Sequence, residues 1–306
     1  MNIAHSVVSL GAPAGAGVTI GNFDGLHLGH QALIRRTLAV CREDGLTPVV
    51  LTFWPHPRLV LFPDQGHMPL CTRQDRLDRL AALGVPQVLE LPFDRDLAAL
   101  DAETFVRRCL LPLHLRRLVV GYDFSLGRNR CGHVEELRRL GAAEGFSVEQ
   151  LAPVVVDGTV VSSTVLRRLI GRGDVREAAA LLGRCYGFSG PVVHGDGRGR
   201  GLGFPTANIR YPQVALPARG VYATRVTLEG RAWPSVTNVG HKPTFGRNEL
   251  SVEAFLLEDC PDLYGRTLRL DFVDRLRDER RFADVEDLKT QINADVAAAR
   301  RILETA

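Results

Sequence analysis

A chain of 306 residues is long enough for two ordinary domains, each with its own core. Hydrophobic residues at 45%, charged residues at 24% and a formal net charge of +3 exclude a disordered, collagenous or coiled-coil chain. They also leave no electrostatic mark of a nucleic-acid or membrane binder. Only Lys242 and Lys289 interrupt an otherwise all-arginine basic set, which has two readings: a compositional bias, or a demand for bidentate phosphate recognition. The six cysteines (Cys41, Cys71, Cys109, Cys131, Cys185, Cys260) lie far apart with no C-x-x-C pair, so a reducing compartment is expected. Met1 to Leu10 lacks the basic and then apolar pattern of a leader, and no apolar run approaches the ~18 residues of a membrane helix. A cytoplasmic protein is expected.

In chain order, short β-rich runs at Val18-Thr19-Ile20, Pro48 to Phe53, Gln87 to Leu91 and Leu118-Val119-Val120 alternate with helical patterns. The helices are expected over Gln31 to Cys41, over Thr72 to Leu83 closed by Gly84, and over Asp101 to Leu111 opening on a capping Asp. Such alternation predicts βαβ units in a doubly wound parallel sheet, with ligands at the carboxyl ends of its strands. A short helix opens at Asp174, with Glu177 completing a capping-box pattern, and stops at Gly183. The boundary is placed there, giving domains 1–183 and 184–306. Beyond it, Gly220 to Leu228, a Glu229-Gly230 turn, Arg231 to Asn238, Ser251 to Leu257 and Thr267 to Val273 predict an antiparallel barrel or sandwich. The last helix, Asp284 to about Leu303, carries the stripe Leu288, Ile292, Val296, Ala299 and Leu303, suited to covering it.

The first strand runs into Gly21-Asn22-Phe23-Asp24-Gly25-Leu26-His27-Leu28-Gly29-His30 and then a helix. A glycine-bearing turn between strand and helix is where a phosphate meets backbone N–H groups and the helix dipole. His27 and His30, three apart, can face the same anion; a zinc site or a merely structural pair are the alternatives. Further on, Ser162-Ser163-Thr164-Val165-Leu166-Arg167-Arg168 is expected to put two arginines in the first turn of a helix, where an anion would have to offset them.

Glycine at every second position from Gly195 to Gly203 lets backbone approach a ligand closely and suits a phosphate-wrapping loop; a linker or an Arg-Gly RNA-binding segment are the other readings. Thr206 and Asn208, two apart on an extended segment behind Pro205, point oxygens to one face, as hard ligands for Mg²⁺ would. Glu253 shares a strand face with Phe255 and Leu257; it is either a solubility device on an edge strand or a general base.

Together, Gly21-x-Phe23-Asp24-Gly25-x-His27-x-Gly29-His30, Ser162-Ser163-Thr164-x-x-Arg167, Thr52-Phe53-x-Pro55-His56-Pro57 and Val120-Gly121-x-Asp123-Phe124 resemble the FMN adenylyltransferase half of the bacterial bifunctional riboflavin kinase and FAD synthetase family. The kinase half is similar to Gly199-Arg200-x-Leu202-Gly203-Phe204-Pro205-Thr206-Ala207-Asn208-Ile209, Gly220-Val221-Tyr222-Ala223, Asn238-Val239-Gly240-x-x-Pro243-Thr244-Phe245 and Asp262-Leu263-Tyr264-Gly265. The resemblance implies a Rossmann-like α/β nucleotidyltransferase followed by a six-stranded antiparallel barrel with a closing helix. It implies that Gly21, Phe23, Asp24, Gly25, His27, Gly29, His30, Ser163, Thr164 and Arg167 bind ATP for adenylylation, with His27 and His30 steadying its phosphates. Asn22, Phe53, His56, Pro57 and Asp123 are flavin-side candidates. Gly195, Gly199, Gly203, Thr206 and Asn208 would hold the kinase ATP, Thr206 and Asn208 its Mg²⁺, and Glu253 would activate the riboflavin 5′-hydroxyl.

The chain departs from the family pattern at Ser125-Leu126-Gly127, where Arg-Phe-Gly is usual, at Arg76, where Lys is common, at His133, where Asp is common, and at Cys185, where proline is usual. The function expected is a two-step synthesis: riboflavin and MgATP to FMN, then FMN and ATP to FAD and pyrophosphate. The alternatives are a chain with only the kinase working, or a flavin- or RNA-binding protein without activity. Partners are expected to be small molecules, with no nucleic acid and no membrane; a homo-oligomer is compatible with the sequence.

Overall fold

The computed structural model describes residues 1–11, 14–195, 198–241 and 250–305. The chain forms two compact units: Met1–Pro69 with Arg73–Ser162, and Leu70–Thr72 with Ser163–Ala306. Asp196, Gly197 and the Pro243-Thr244-Phe245 motif lie outside the described residues.

The first unit runs β1 (Asn2–Ala4), α1 (Val7–Leu10), β2 (Ala16–Ile20), α2 (Leu28–Glu43), β3 (Thr47–Trp54), α3 (Pro57–Leu61), α4 (Arg73–Ala82), β4 (Gln87–Pro92), α5 (Arg95–Ala99), α6 (Ala102–Phe105), β5 (Leu115–Val120), α7 (Val134–Glu144) and β6 (Ser147–Gln150), then a hairpin of β7 (Val155–Val156) and β8 (Thr159–Val160). The first six strands form one parallel sheet in the order β1-β4-β3-β2-β5-β6. Its central strands are apolar on both faces, as a sheet covered twice requires. Leu51, Leu89, Leu118 and Val120 face one core, whereas Val50, Val88 and Val119 face another with Ile34, Leu77 and Leu80. From β2 the chain steps outward through β3 and β4 and then returns to β5 on the other side of β2. That reversal opens a crevice at the carboxyl ends of β2 and β5, where the loops after Ile20 and Val120 begin.

Asp101 caps as expected, accepting from Thr104 N–H at 2.7 Å. The helix expected over Asp101 to Leu111 is instead α6, a π turn over Val106–Leu110 and a 3-10 turn over Leu111–Leu113.

The second unit begins with α8 (Ser163–Arg172) and α9 (Val175–Leu182), which ends on Gly183 in the left-handed conformation at φ +69°. No capping box forms at Asp174, because its backbone (φ −78°, ψ +60°) is not extended and its side chain makes no cap bond. There follow β9 (Tyr186–Val193), the single turn α10 (Arg198–Leu202), β10 (Ala207–Ile209), β11 (Gly220–Leu228), β12 (Arg231–His241), β13 (Leu250–Leu256), β14 (Thr267–Arg277) and α11 (Val285–Thr305). The strands close into an antiparallel barrel in the order β10-β13-β12-β11-β14-β9. Alternation along β11 sends Tyr222, Thr224 and Val226 into the barrel; Tyr222 meets Phe272 edge to face at 5.3 Å, and Thr224 Oγ1 lies 2.7 Å from both Ser235 Oγ and Thr237 Oγ1. Val221 and Ala223 face outward, into a cluster closed by Ala299 and Leu303 of α11.

The stripe on α11 is as the sequence predicts, with an addition. Asp295 is buried at 5% exposure and receives Arg277 of β14, Nη2 to Oδ2 at 2.8 Å and Nε at 3.0 Å. The compact units divide at Ser162, ahead of the boundary read at Gly183, because α8 and α9 pack with the barrel. Arg275 Nη1 donates to the Arg172 carbonyl at 3.2 Å, and Arg176 pairs with Asp274 at 3.4 Å.

Candidate active sites

Between β2 and α2 the backbone is held in left-handed conformations at Phe23 (φ +48°), Gly25 (φ +78°) and Leu26 (φ +39°). Only glycine adopts such a φ freely, so the two non-glycine positions need anchoring. Phe23 and Leu26 supply it as fully buried side chains. Helix α2 begins at Leu28, earlier than the hydrophobic pattern shows, because His27 caps it: its Nδ1 accepts from His30 N–H at 3.3 Å. A neutral imidazole accepting at Nδ1 carries its proton on Nε2 and is therefore a donor there. The His30 ring stacks on His27 with centroids 3.6 Å apart and meets Phe23 edge to face at 5.3 Å. Burial, reinforced by the neighbouring His27, holds the His30 pKa well below 6.5. His30 Nδ1 is buried without a hydrogen-bond partner among the described residues. Two stacked imidazoles at a helix start, one with an orphaned nitrogen, are an arrangement suited to an oxyanion.

Asp24, His56 and His67 bring one potential ligand atom each within 4.8 Å. His56 Nδ1, however, accepts from Arg58 N–H at 3.2 Å as the cap of α3. An imidazole accepting at Nδ1 carries its proton on Nε2 and has no lone pair left for a cation, so His56 in this arrangement is not a metal ligand.

Of the flavin-side candidates, Asn22 follows β2, His56 and Pro57 follow β3, and Asp123 follows β5, all at the carboxyl ends of neighbouring strands. Phe53 is a core residue: its ring packs edge to face on Phe93 at 5.5 Å and Phe105 at 6.3 Å. Beyond β5 a cavity of about 430 Å³ is lined by Asp123, Ser125, Asn129, Arg130, His133 and Gln150. Arg130 donates from Nε to Ser125 Oγ at 2.6 Å and from Nη2 to the Asp123 carbonyl at 3.2 Å. A guanidinium thus stands beside Ser125, where the family motif has arginine. Sequence reading missed Arg130; its signal is the Gly127-Arg128-Asn129-Arg130 turn, with positive φ at Gly127, Asn129 and Arg130.

Ser163 and Thr164 open α8, so Arg167 and Arg168 fall in its second turn and not, as expected, in its first. The dipole field fades within one turn, so it does not oppose them.

In the barrel, Asn208 of β10 is paired in register with Glu253 of β13, and Thr206 Oγ1 donates to Glu253 Oε2 at 3.5 Å. The three side chains the sequence singled out there are therefore neighbours. They form a hard-oxygen set that fits Mg²⁺. Gly195 presses against this group: a Cβ on it would stand 2.2 Å from Asn208 Nδ2. Residues Arg198–Leu202 form one helical turn and not an extended loop; Gly203 leaves it at φ +91°, and Phe204 N–H returns to the Gly199 carbonyl at 2.8 Å. Glu253 and Phe255 lie half-buried on one face of β13, and Phe255 meets Phe204 edge to face at 5.5 Å.

A family model described as FAD synthetase matches residues 11–165, and one described as riboflavin kinase matches residues 182–303. The chain belongs to the bifunctional riboflavin kinase/FMN adenylyltransferase family. A relative of that name from Pseudomonas fluorescens is 42% identical over 294 residues, covering 94% of this chain and 93% of its own. Another, from Escherichia coli K12, is 37% identical over 288 residues, with 94% and 92% covered. The enzyme also matches a crystal structure titled as a macrolide-efflux protein from Streptococcus pneumoniae, at a TM-score of 0.89 and 31% identity over 97% of this chain and 98% of that one. Among the described residues no helix is long and apolar enough to cross a membrane, and the six cysteines are free thiols.

Proposed function

We propose that the enzyme makes FAD from riboflavin in two steps divided between its halves, with a functional boundary at 183/184. The barrel phosphorylates the riboflavin 5′-hydroxyl. Glu253 accepts the hydroxyl proton, while Thr206 and Asn208 hold Mg²⁺ and the ATP phosphates against the backbone at Gly195, Gly199 and Gly203. Bound Mg²⁺ supplies charge neutralisation on the transferred phosphoryl group. The N-terminal half adenylylates FMN. His27 Nε2–H and the opening N–H groups of α2 bind the ATP phosphates, and His30, which burial keeps neutral until the phosphates arrive, completes the cradle from its unpaired nitrogen. Gly21, Phe23, Asp24, Gly25 and Gly29 shape this loop; Ser163, Thr164 and Arg167 are assigned to the same triphosphate on their motif. Asn22, His56, Pro57 and Asp123 border the flavin side, with Arg130 supplying the guanidinium that residue 125 lacks.

The single observation carrying the reading is the pairing of Asn208 with Glu253 beside Thr206, in the half whose partner carries the stacked histidine cap. Partners are small molecules, without nucleic acid or membrane, and free thiols accord with a cytoplasmic setting. Purified protein given riboflavin and MgATP should accumulate FMN and then FAD. FMN alone would remove the adenylyl assignment, and no product would favour a binding protein.

A further inference from the structure

We propose that Arg76 is a positioning residue for adenylyl transfer, holding the Asn22 carbonyl and through it the phosphate loop. Arg76 lies in α4 and is 3% exposed. Its Nη2 donates to Glu90 Oε1 at 2.8 Å and its Nη1 to the Asn22 carbonyl at 3.1 Å, while its Nε is buried without a partner among the described residues. The guanidinium also lies 5.5 Å from the centroid of Trp54. Glu90, 2% exposed within β4, takes Arg73 Nε on its other oxygen at 2.6 Å. Two guanidinium groups thus meet one carboxylate, Arg76 buried and Arg73 about one-third exposed.

What this cluster holds is the loop. Asn22 lies between Gly21, whose N–H donates to the Leu51 carbonyl at 3.1 Å, and Phe23, whose left-handed backbone needs over-determination to persist. The Asn22 carbonyl receives a second, longer bond of 3.5 Å from Thr52 Oγ1. Phe23 carries the ring against which His30 is set. A shift of the Asn22 carbonyl therefore moves Phe23, and with it the imidazole pair. Arg76 connects the far strand β4 to that point. No bond to substrate is involved; the effect is geometric.

The inference rests on the adenylyltransferase reading of this loop, and the two fail differently: a wild-type enzyme that makes no FAD removes that reading, whereas the following variants test Arg76. In R76M the kcat/KM for FMN to FAD is expected to fall about a hundredfold, the loss attending a displacement of about 1 Å, with FMN formation within twofold of wild type. R76M/E90M removes both buried charges, an exchange that restores packing but not the hold on Asn22. It should melt close to wild type yet keep the hundredfold defect, carried in kcat as well as in KM for ATP. R76K, which keeps the cation and a donor, should stay within about fivefold. FAD synthesis within threefold of wild type in R76M/E90M, or R76K as impaired as R76M, would overturn the proposal.

Discussion

The two halves build their candidate phosphate sites by opposite means. In the parallel-sheet unit the site is a run of backbone: one loop, between one strand and one helix, bent through left-handed conformations and capped by its own histidine. In the barrel the site is a set of side chains brought from separate strands by pairing, Asn208 opposite Glu253, with Thr206 beside them. A loop site depends on what holds the loop still, and a ladder site on register, since a slip of one residue turns every side chain to the other face. The first is therefore expected to be sensitive to remote supports, and the second to the identity of the paired residues.

The largest effect should follow Glu253→Ala, with FMN formation falling roughly 10²- to 10⁴-fold, the usual worth of a general base, and FMN to FAD unchanged. His30→Ala should do the reverse, lowering FAD formation roughly 10²- to 10³-fold. Separate assays of the two steps measure both; a variant that loses both steps equally would break the comparison. Gly195→Ala brings a Cβ into the Asn208 amide, so the kinase step should weaken roughly tenfold to a hundredfold with adenylylation intact.

Asp295→Ala leaves Arg277 without its anion. Because Arg277 is itself 19% exposed, the cost in barrel stability should be roughly 2–3 kcal/mol, below the ~3–5 of a fully enclosed pair; denaturant unfolding measures it. The smallest effect is pH-dependent. His30 has a lower pKa folded than unfolded, so below about pH 6.5 the unfolded chain binds a proton the native site resists. N-terminal stability should then fall as pH drops through the unfolded value, and His30→Ala should flatten that dependence in thermal melts. A bound triphosphate favours the imidazolium, so ATP binding should take up protons, measurable by calorimetry in buffers of different ionisation enthalpy.

The contrast also governs what could be read from the chain. The contiguous motif from Gly21 to His30 marks the first candidate site, and β2 to β5 lie where their apolar runs place them. The start of α2 was misjudged because His27 caps through its ring, a bond that hydrophobic periodicity does not register. Thr206, Asn208 and Glu253 could be singled out as odd residues in their strands, but their adjacency is a property of pairing across the barrel. Glu90, Arg130 and Asp295 were beyond pattern altogether, and Arg76 stood out only as a departure from the family motif. Glu90 and Asp295 sit on segments whose period predicts only packing, and their meaning comes from partners 14 and 18 residues away; Arg130 finds its partners across a short turn.

The Asp295–Arg277 pair also bears on the order in which the protein is made. Synthesis delivers every barrel strand before the helix that covers it, and Asp295 follows Arg277 out of the ribosome. The sheet can pair early, but its outer cluster around Val221 and Ala223 stays wet, and one arginine stays without its anion, until the last turns of α11 emerge. The kinase half is thus completed only by α11, and a chain truncated within that helix would yield a barrel complete in strands and open on one side.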